Sequence, residues 1–427
     1  MSNVATSFQL NTTNSANDSS TARAEVQAAI AAANYANVGA PFSPMLLKFA
    51  NQGDLSNIWT SNRGDTAISF YQFNGNRSDG FLPLGDYAVV GQNALSKTPV
   101  MLLAPIPGNE SALAHPTGFQ WIADDHGSGN DNDIAYFWPT APDGYQALGI
   151  CFGSNGAQPV AANYWCVSTA YLQNAGVSSY WSDSGQHWTS HNGSLSIPSL
   201  TDVGISDSLL LAPTTLLSDE FTGNNGGVTN SWCLVLSKLF LPVSGSGVPY
   251  PDYQPQYGQG TQTDQGIQSV AVLPYNVAND PNAGGTPQST PFYYLAGQPY
   301  WVCTTGFPSP SGGSYTTSFT VGTSQEQSSG FQNTTSITVG ADVGIEAGGA
   351  SAHMSVSYTD EMQISGSTTT GSSTEVSQSL TLNLPVAAHV LLWQKAVNFV
   401  SYRTDGTSLS QATYQTTEID FTDSNPT

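Results

Sequence analysis

Apolar and polar residues alternate at period two in two neighbouring runs near the C-terminal end of this chain, and the parity switches between them. In the first run, Ile337, Val339, Ala341, Val343, Ile345 and Ala347 hold the odd positions, between Thr338, Gly340, Asp342, Gly344 and Glu346. Past Gly348-Gly349 the apolar set moves to even numbers, Ala350, Ala352, Met354, Val356 and Tyr358, with Ser351, His353, Ser355 and Ser357 between them. Alternation is a strand signal, and Gly-Gly is a favoured two-residue hairpin turn. A fold-back at that pair gathers every apolar side chain on one face. The pattern predicts an amphipathic hairpin over 337–358.

The rest of the chain reads as further strands. Ser/Thr-rich extended segments flank the hairpin, and "LTLNLPVAAHVLLWQKAV" follows. Between about 45 and 245 a unit recurs: Trp59, Trp121 and Trp181 are spaced about 60 residues apart, each followed by a polar loop and a strand-like run. D-G-[FY]-x-x-L-G follows the first two copies, at 79–85 and 143–149, and is missing from the third. Three copies of a strand-rich unit predict a closed pseudo-threefold β structure, with a β-prism preferred over a β-trefoil. "TARAEVQAAIAAANYANVGA" (21–40) reads as one Ala-rich helix stopped by Gly39. Residues 246–290 are rich in Pro, Gly and Gln and read as a connection. The expected division is therefore a polar tail and helix over 1–44, a β-prism-like domain over 45–245, the connection over 246–290, and an elongated β module over 291–427. The fold class is all-β with one short N-terminal helix.

Composition narrows the function. The 427 residues carry 8 basic against 30 acidic side chains, a net charge of −22. Nucleic acid needs a basic footprint, and an anionic lipid surface would repel this chain. Membrane contact must then come from apolar burial or a receptor. No run approaches a spanning helix, and no signal peptide is visible. Cys151, Cys166, Cys233 and Cys303 lack CxxC spacing. Two disulfides or buried free thiols both fit.

Candidate chemistry is sparse. Asp124, Asp125, Asp131 and Asp133 in "DDHGSGNDND" offer oxygen ligands suited to Ca²⁺, without the EF-hand spacing, so a solvated turn is the preferred reading. His187 and His191 read as loop residues. Trp121, Asp125, Trp138, Tyr145 and Trp181 could line a glycan site, although core packing of the repeat explains the aromatics too. No nucleophile elbow, zinc-protease helix or P-loop occurs, so no enzyme and no obligatory cofactor is expected.

Two families are resembled. "WIADDHGSGNDNDIAYFWPTAPDGYQALGICFG" (121–153) is similar to the signature of the vacuolar protein sorting-associated protein 62 family, carried by Trp121, Asp125, Gly127, Ser128, Gly129, Trp138, Pro139, Pro142, Gly144, Tyr145, Leu148 and Gly149. The likeness covers roughly 50–240. Residues 291–427 resemble the aerolysin-like β-pore-forming proteins in the order of their segments: Ser/Thr strand, amphipathic hairpin, Ser/Thr strand, closing strand. That resemblance implies a secreted or released soluble protein that binds a surface receptor, oligomerises and inserts a β-barrel at a target membrane, in a cytolytic, defence or insecticidal role.

The hairpin has dimensions that suit such an insertion. Residues 337–347 would span roughly 36 Å as a strand and about 28 Å when tilted by ~40°, close to the ~30 Å hydrocarbon core. Six apolar side chains give an upper bound of ~9–18 kcal/mol per hairpin on burial. Asp342, Glu346 and His353 would face the lumen. A half-buried hairpin in a soluble sandwich is the competing structural reading, and a non-lytic lectin or multimeric binding protein the competing function. The parity switch, the matched run lengths and the Ser/Thr flanks favour the pore.

Overall fold

In a computed structural model, residues 20–423 are described except 43, 62–66, 92–99, 127–131, 183–193, 201–208, 219–227, 229–230, 238, 244–247, 249, 253, 255–256, 276–277, 279, 281–289, 310, 325, 328–336, 341–343, 350–351, 360, 366–374 and 387; between 337 and 365 the description is of the backbone alone. The described residues are mostly short antiparallel strands, as the Gly-, Ser- and Thr-rich sequence predicts. The single helix expected over 21–40 is two, Ser20–Ala33 and Tyr35–Val38, because Asn34 adopts a left-handed conformation at φ 47. The longer helix buries Val26 and Ile30, and Gln27 Nε2 donates to the Gly406 carbonyl at 3.0 Å. That contact ties the helix to the C-terminal half.

Three of the five antiparallel sheets among the described residues of the N-terminal half surround a common core. The first joins Leu55–Thr60, Ile68–Phe73 and Tyr87–Val90; the second joins Gly118–Asp124, Ile134–Thr140 and Cys151–Ser154. The third joins Leu172–Ser182 and Ser194–Ser199 with Ser231–Leu236 and Leu209–Leu211. One core lies between them. It holds Trp59, Ile68 and Phe70 from the first sheet, Ala123, Ile134, Tyr136 and Phe152 from the second, and Trp181 and Leu195 from the third. Three sheets around a shared interior are the β-prism-like, pseudo-threefold arrangement that the repeat implies.

Near the centre the copies interlock through backbone. Asp86 N donates to Ile150 O at 2.9 Å, and Ile150 N donates to Leu216 O at 2.9 Å. A Cβ on Gly149 would sit 2.6 Å from Thr215 Cβ, so the last residue of the D-G element must be glycine for the chains to meet. Thr215 occupies that junction from the third copy, its Oγ1 donating to Leu148 O at 2.5 Å. In the third unit a threonine, Thr215, stands beside this junction where the first two units have the last glycine of the element.

The C-terminal half is built on a five-stranded antiparallel sheet in the order Leu239–Leu241, Ser269–Pro274, Phe292–Ser309, Ala388–Tyr402, Ser408–Asp423. This corrects the expected boundaries in two places. Leu239–Leu241, assigned to the N-terminal domain, is a strand of this sheet. The segment expected as a free connection over 246–290 supplies another strand, with Val270, Ala271, Val272 and Leu273 all buried. Upstream of it, Gly260, Thr263, Gly266 and Gln268 donate backbone N–H groups to Cys303, Trp301, Pro299 and Gly297, so the chain follows the edge of the sheet. Tyr250 packs on Trp301 with ring centroids 5.2 Å apart, and Tyr257 packs edge-on against Trp393 at 5.6 Å. Composition suggests a linker here because Pro, Gly and Gln break regular periodicity, while the tyrosines and the short apolar run are what dock it. The two halves also share one core, in which Phe42 and Phe49 meet Phe292 at 6.0 and 6.2 Å.

Candidate functional site

Two central strands of the C-terminal sheet continue past its end as a ribbon. Phe292–Ser309 pairs with Ala388–Tyr402, and after a short gap Gly313–Val321 pairs with Val376–Leu384. From Thr305–Leu392 to Ser309–Ala388, and again from Gly313–Leu384 to Val321–Val376, the partners' residue numbers add to 697. One register therefore runs through both paired stretches.

The ribbon does not run straight. It folds back over the sheet at Gly312-Gly313, where Gly312 has φ +70, a conformation that a residue with a side chain adopts only under strain. Phe307 and Tyr315 then face each other at 6.0 Å. Further along, Gln394 Nε2 donates to Thr320 O at 2.7 Å and to Thr416 O at 2.8 Å. Gly322 exchanges backbone hydrogen bonds with Gln415 on the edge strand. Phe319 and Val321 are buried, whereas Ser314, Thr316, Ser318 and Thr320 are exposed, as are Ser377 and Ser379 on the partner strand. Neither ribbon strand carries a charged residue.

Between the ribbon strands lies the amphipathic segment, and its form differs from the expected single hairpin. It is a four-stranded antiparallel meander of Ile337–Gly340, Gly344–Gly349, Ala352–Thr359 and Glu361–Ser365. The expected continuous strand over 337–347 is divided, with the chain reversing between the paired Gly340 and Gly344. The turn expected at Gly348-Gly349 falls beyond them, because Gly349 pairs with Ala352. Glycine at 340, 344, 348 and 349 makes such reversals cheap, and four strands leave fewer unpaired backbone groups than two in water. The parity switch survives. Ile345 pairs with Val356, Ala347 with Met354, Val339 with Ile345 and Tyr358 with Met362, so apolar positions oppose apolar positions at every level. Glu346 is opposite Ser355 and His353 opposite Gly348, on the other face. Ala341, Asp342, Val343, Ala350 and Ser351 lie outside the described residues.

The candidate glycan residues are not brought together. Trp181 is 5% exposed in the three-sheet core, so it cannot meet a ligand. Asp125 is fully buried: its Oδ1 accepts from Ile134 N at 2.5 Å, and its own N–H donates to Ile134 O, closing the base of the loop. Trp138 is partly buried against the same core, and Tyr145 OH donates to Ser111 O at 2.8 Å. Trp121 alone stands out, 55% exposed.

The bulges explain why the three tryptophans are not equivalent. The first hairpin skips Ile58, the second skips Ile122 and the third skips Tyr180, which aligns Trp59, Ala123 and Trp181 in the core. Trp121 corresponds instead to Asn57 and Ser179. Matching tryptophans by spacing alone misplaces the second copy by two residues.

The proposed Ca²⁺ ligands are also divided. Asp125 turns inward, Asp124 Oδ1 accepts from His126 N at 3.2 Å, and Asp133 Oδ2 pairs with His126 Nδ1 at 2.8 Å. That hydrogen bond to Asp133 raises the His126 pKa. Asp131, His187 and His191 lie outside the described residues, and among the described residues no three His, Cys, Asp or Glu side chains converge as a metal site. All four cysteines are buried free thiols, which settles the disulfide alternative. Burial pushes Cys166 up to about 12 and Cys233 up to about 11, far from a reactive thiolate.

A buried carboxylate that sequence reasoning missed lies between the first two copies. Asp86 Oδ2 accepts from Phe152 N at 2.7 Å and Gln72 Nε2 at 3.1 Å, and Oδ1 accepts from Tyr164 OH at 2.9 Å. Burial pushes its pKa up to about 7, against the pull of those three donors. Its partners are distant in sequence, so no local motif marks it.

Residues 46–201 match the family model of vacuolar protein sorting-associated protein 62. No curated protein matches the chain. Among solved structures, GNIP1Aa from Chromobacterium piscinae is similar at 19% identity and a TM-score of 0.34, over 41% of this chain and 32% of that one. Cry35Ab1 is similar at 15% identity and a TM-score of 0.36, over 90% of each chain.

Proposed function

We propose that this chain is a β-pore-forming protein: its N-terminal body docks on a cell-surface receptor, a glycan or glycolipid, and its C-terminal half assembles in a ring and inserts a β-barrel. The supporting observation is the ribbon register. Extended without slippage from Val321–Val376, it makes Gly348 and Gly349 neighbours at the tip, since their numbers also add to 697. Ala347 then opposes Ala350, Ile345 opposes Ala352, Val343 opposes Met354, Ala341 opposes Val356 and Val339 opposes Tyr358. Every pair is apolar on one face. The soluble meander and the extended ribbon are two pairings of one sequence, differing by a slide of two residues per strand at the central hairpin.

Physical chemistry sets the order of events. A lone hairpin in hydrocarbon leaves its edge N–H and C=O groups unsatisfied, at several kcal/mol each. A ring with two strands from each chain closes every edge, so assembly must precede insertion. The uncharged Ser/Thr ribbon suits a stem that is wet on both sides, where β propensity is wanted without apolar surface. Asp342, Glu346 and His353 would face the lumen, and carboxylate rings favour cations. No helix among the described residues is long and apolar enough to cross a membrane. No catalytic role is proposed.

Calcein release from vesicles carrying target-cell lipid extract tests the reading. Wild type releases dye, and Val356→Asp binds the vesicles equally but releases none, because a carboxylate on the lipid face is driven out. Dye retention by assembled wild-type protein would show a non-lytic binding protein instead.

A further inference from the structure

Trp121 poses a physical problem that the fold does not explain. In the first and third copies the indole at the bulge is buried, Trp59 and Trp181 each at 5% exposure. In the second copy the core position is Ala123, and an indole stands on the outside of the sheet where the other copies have Asn57 and Ser179. Burying a large aromatic stabilises a fold by roughly 2–3 kcal/mol, which the second copy forgoes.

The surroundings of Trp121 are firm. Its neighbour on the same side of the strand, Phe119, packs edge-on against Tyr164 at 6.0 Å. Gln158 reaches across to donate from Nε2 to Phe119 O at 3.2 Å, which brings the 155–160 loop beside this strand. Val160 in that loop is 60% exposed. An exposed indole therefore stands two residues along the strand from Phe119, whose carbonyl holds the Gln158 amide, and the loop that carries Gln158 also exposes Val160.

We infer that the outer face of the second sheet around Trp121 binds a neutral pyranose, one per chain. A sugar ring presents an apolar C–H face that stacks on an indole, while its hydroxyls need neutral hydrogen-bonding groups such as the Gln158 amide. One aromatic side chain matches a sugar ring in size and falls well short of the ~800 Å² per partner of a stable protein interface. The net charge of −22 disfavours sialylated and sulfated glycans. This inference rests on the receptor role proposed above and assigns it a place and a ligand class.

The test is binding of the full chain to an immobilised array of neutral oligosaccharides beside their sialylated and sulfated counterparts, followed by titration calorimetry with the best neutral sugar. Wild type is expected to bind neutral sugars at one per chain. Trp121→Ala is expected to lose at least about tenfold in affinity with an unchanged melting temperature, and Trp121→Phe to lose less. Absence of neutral-sugar binding, preference for anionic glycans, or undiminished binding by Trp121→Ala would each overturn the inference. Leakage from sugar-free vesicles at high protein concentration separates the two readings. Leakage without sugar binding removes the site and keeps the pore, whereas sugar binding without leakage does the reverse.

Discussion

Asp86 shows what a single buried side chain does to this fold. Its carboxyl is held above its ordinary range by burial, so the folded state binds a proton more tightly than the unfolded chain. The stabilisation this provides is fully present below about pH 4 and is lost as pH rises to about 7. Thermal melts between pH 4 and 8 should therefore show wild type gaining stability on acidification relative to Asp86→Asn. The amide can keep the same contacts, because Tyr164 OH can turn to accept, and it cannot titrate. Asp86→Ala leaves three donors without an acceptor and should cost several kcal/mol, at about 1–3 per group. At the bulges, Trp181→Ala should cost about 3–5 kcal/mol in denaturant titrations while Trp121→Ala stays within about 0.5. Equal losses would mean that the bulge alignment is wrong. Little of this is legible in the sequence: equal spacing suggests three equivalent tryptophans, and a one-residue bulge in each hairpin sets the true correspondence.

Among the elements, the folded-back ribbon governs what can happen. Gln394 is buried and holds Thr320 O and Thr416 O with one amide nitrogen. It joins the ribbon to both central and edge strands. Gln394→Ala should lower stability by about 1–3 kcal/mol and make dye release start sooner, because a latch of the soluble form is lost. Slower release with lower stability would place Gln394 in the assembled form instead. The alternation over 337–358, its parity switch and the Ser/Thr flanks are all legible in the sequence, because period-two patterning is local. The division into a meander is not, since it depends on which of two registers wins, and both keep apolar opposite apolar. The corner at Gly312-Gly313 is marked only by its glycines, and the docking of 246–290 only by scattered tyrosines.

Across the whole molecule, the N-terminal helices, the three-sheet body and the five-stranded sheet share buried contacts, while the ribbon folds back over that sheet and the Ala352–Thr359 strand of the meander lies beside Leu209–Leu211 of the N-terminal body. A shared core beside a segment that the proposed assembly would re-pair is the arrangement expected of a protein that stores one form and adopts another. Cysteine pairs read the register directly. Ile345→Cys with Val356→Cys joins partners of the soluble meander, and Ile345→Cys with Ala352→Cys joins partners of the extended ribbon. With single-cysteine controls for the four native thiols, oxidation in solution should cross-link the first pair, and oxidation after assembly on vesicles should cross-link the second. The first pair, oxidised beforehand, should block dye release until it is reduced. Cross-linking of the 345–356 pair in membrane-assembled protein that still releases dye would contradict the exchange of registers.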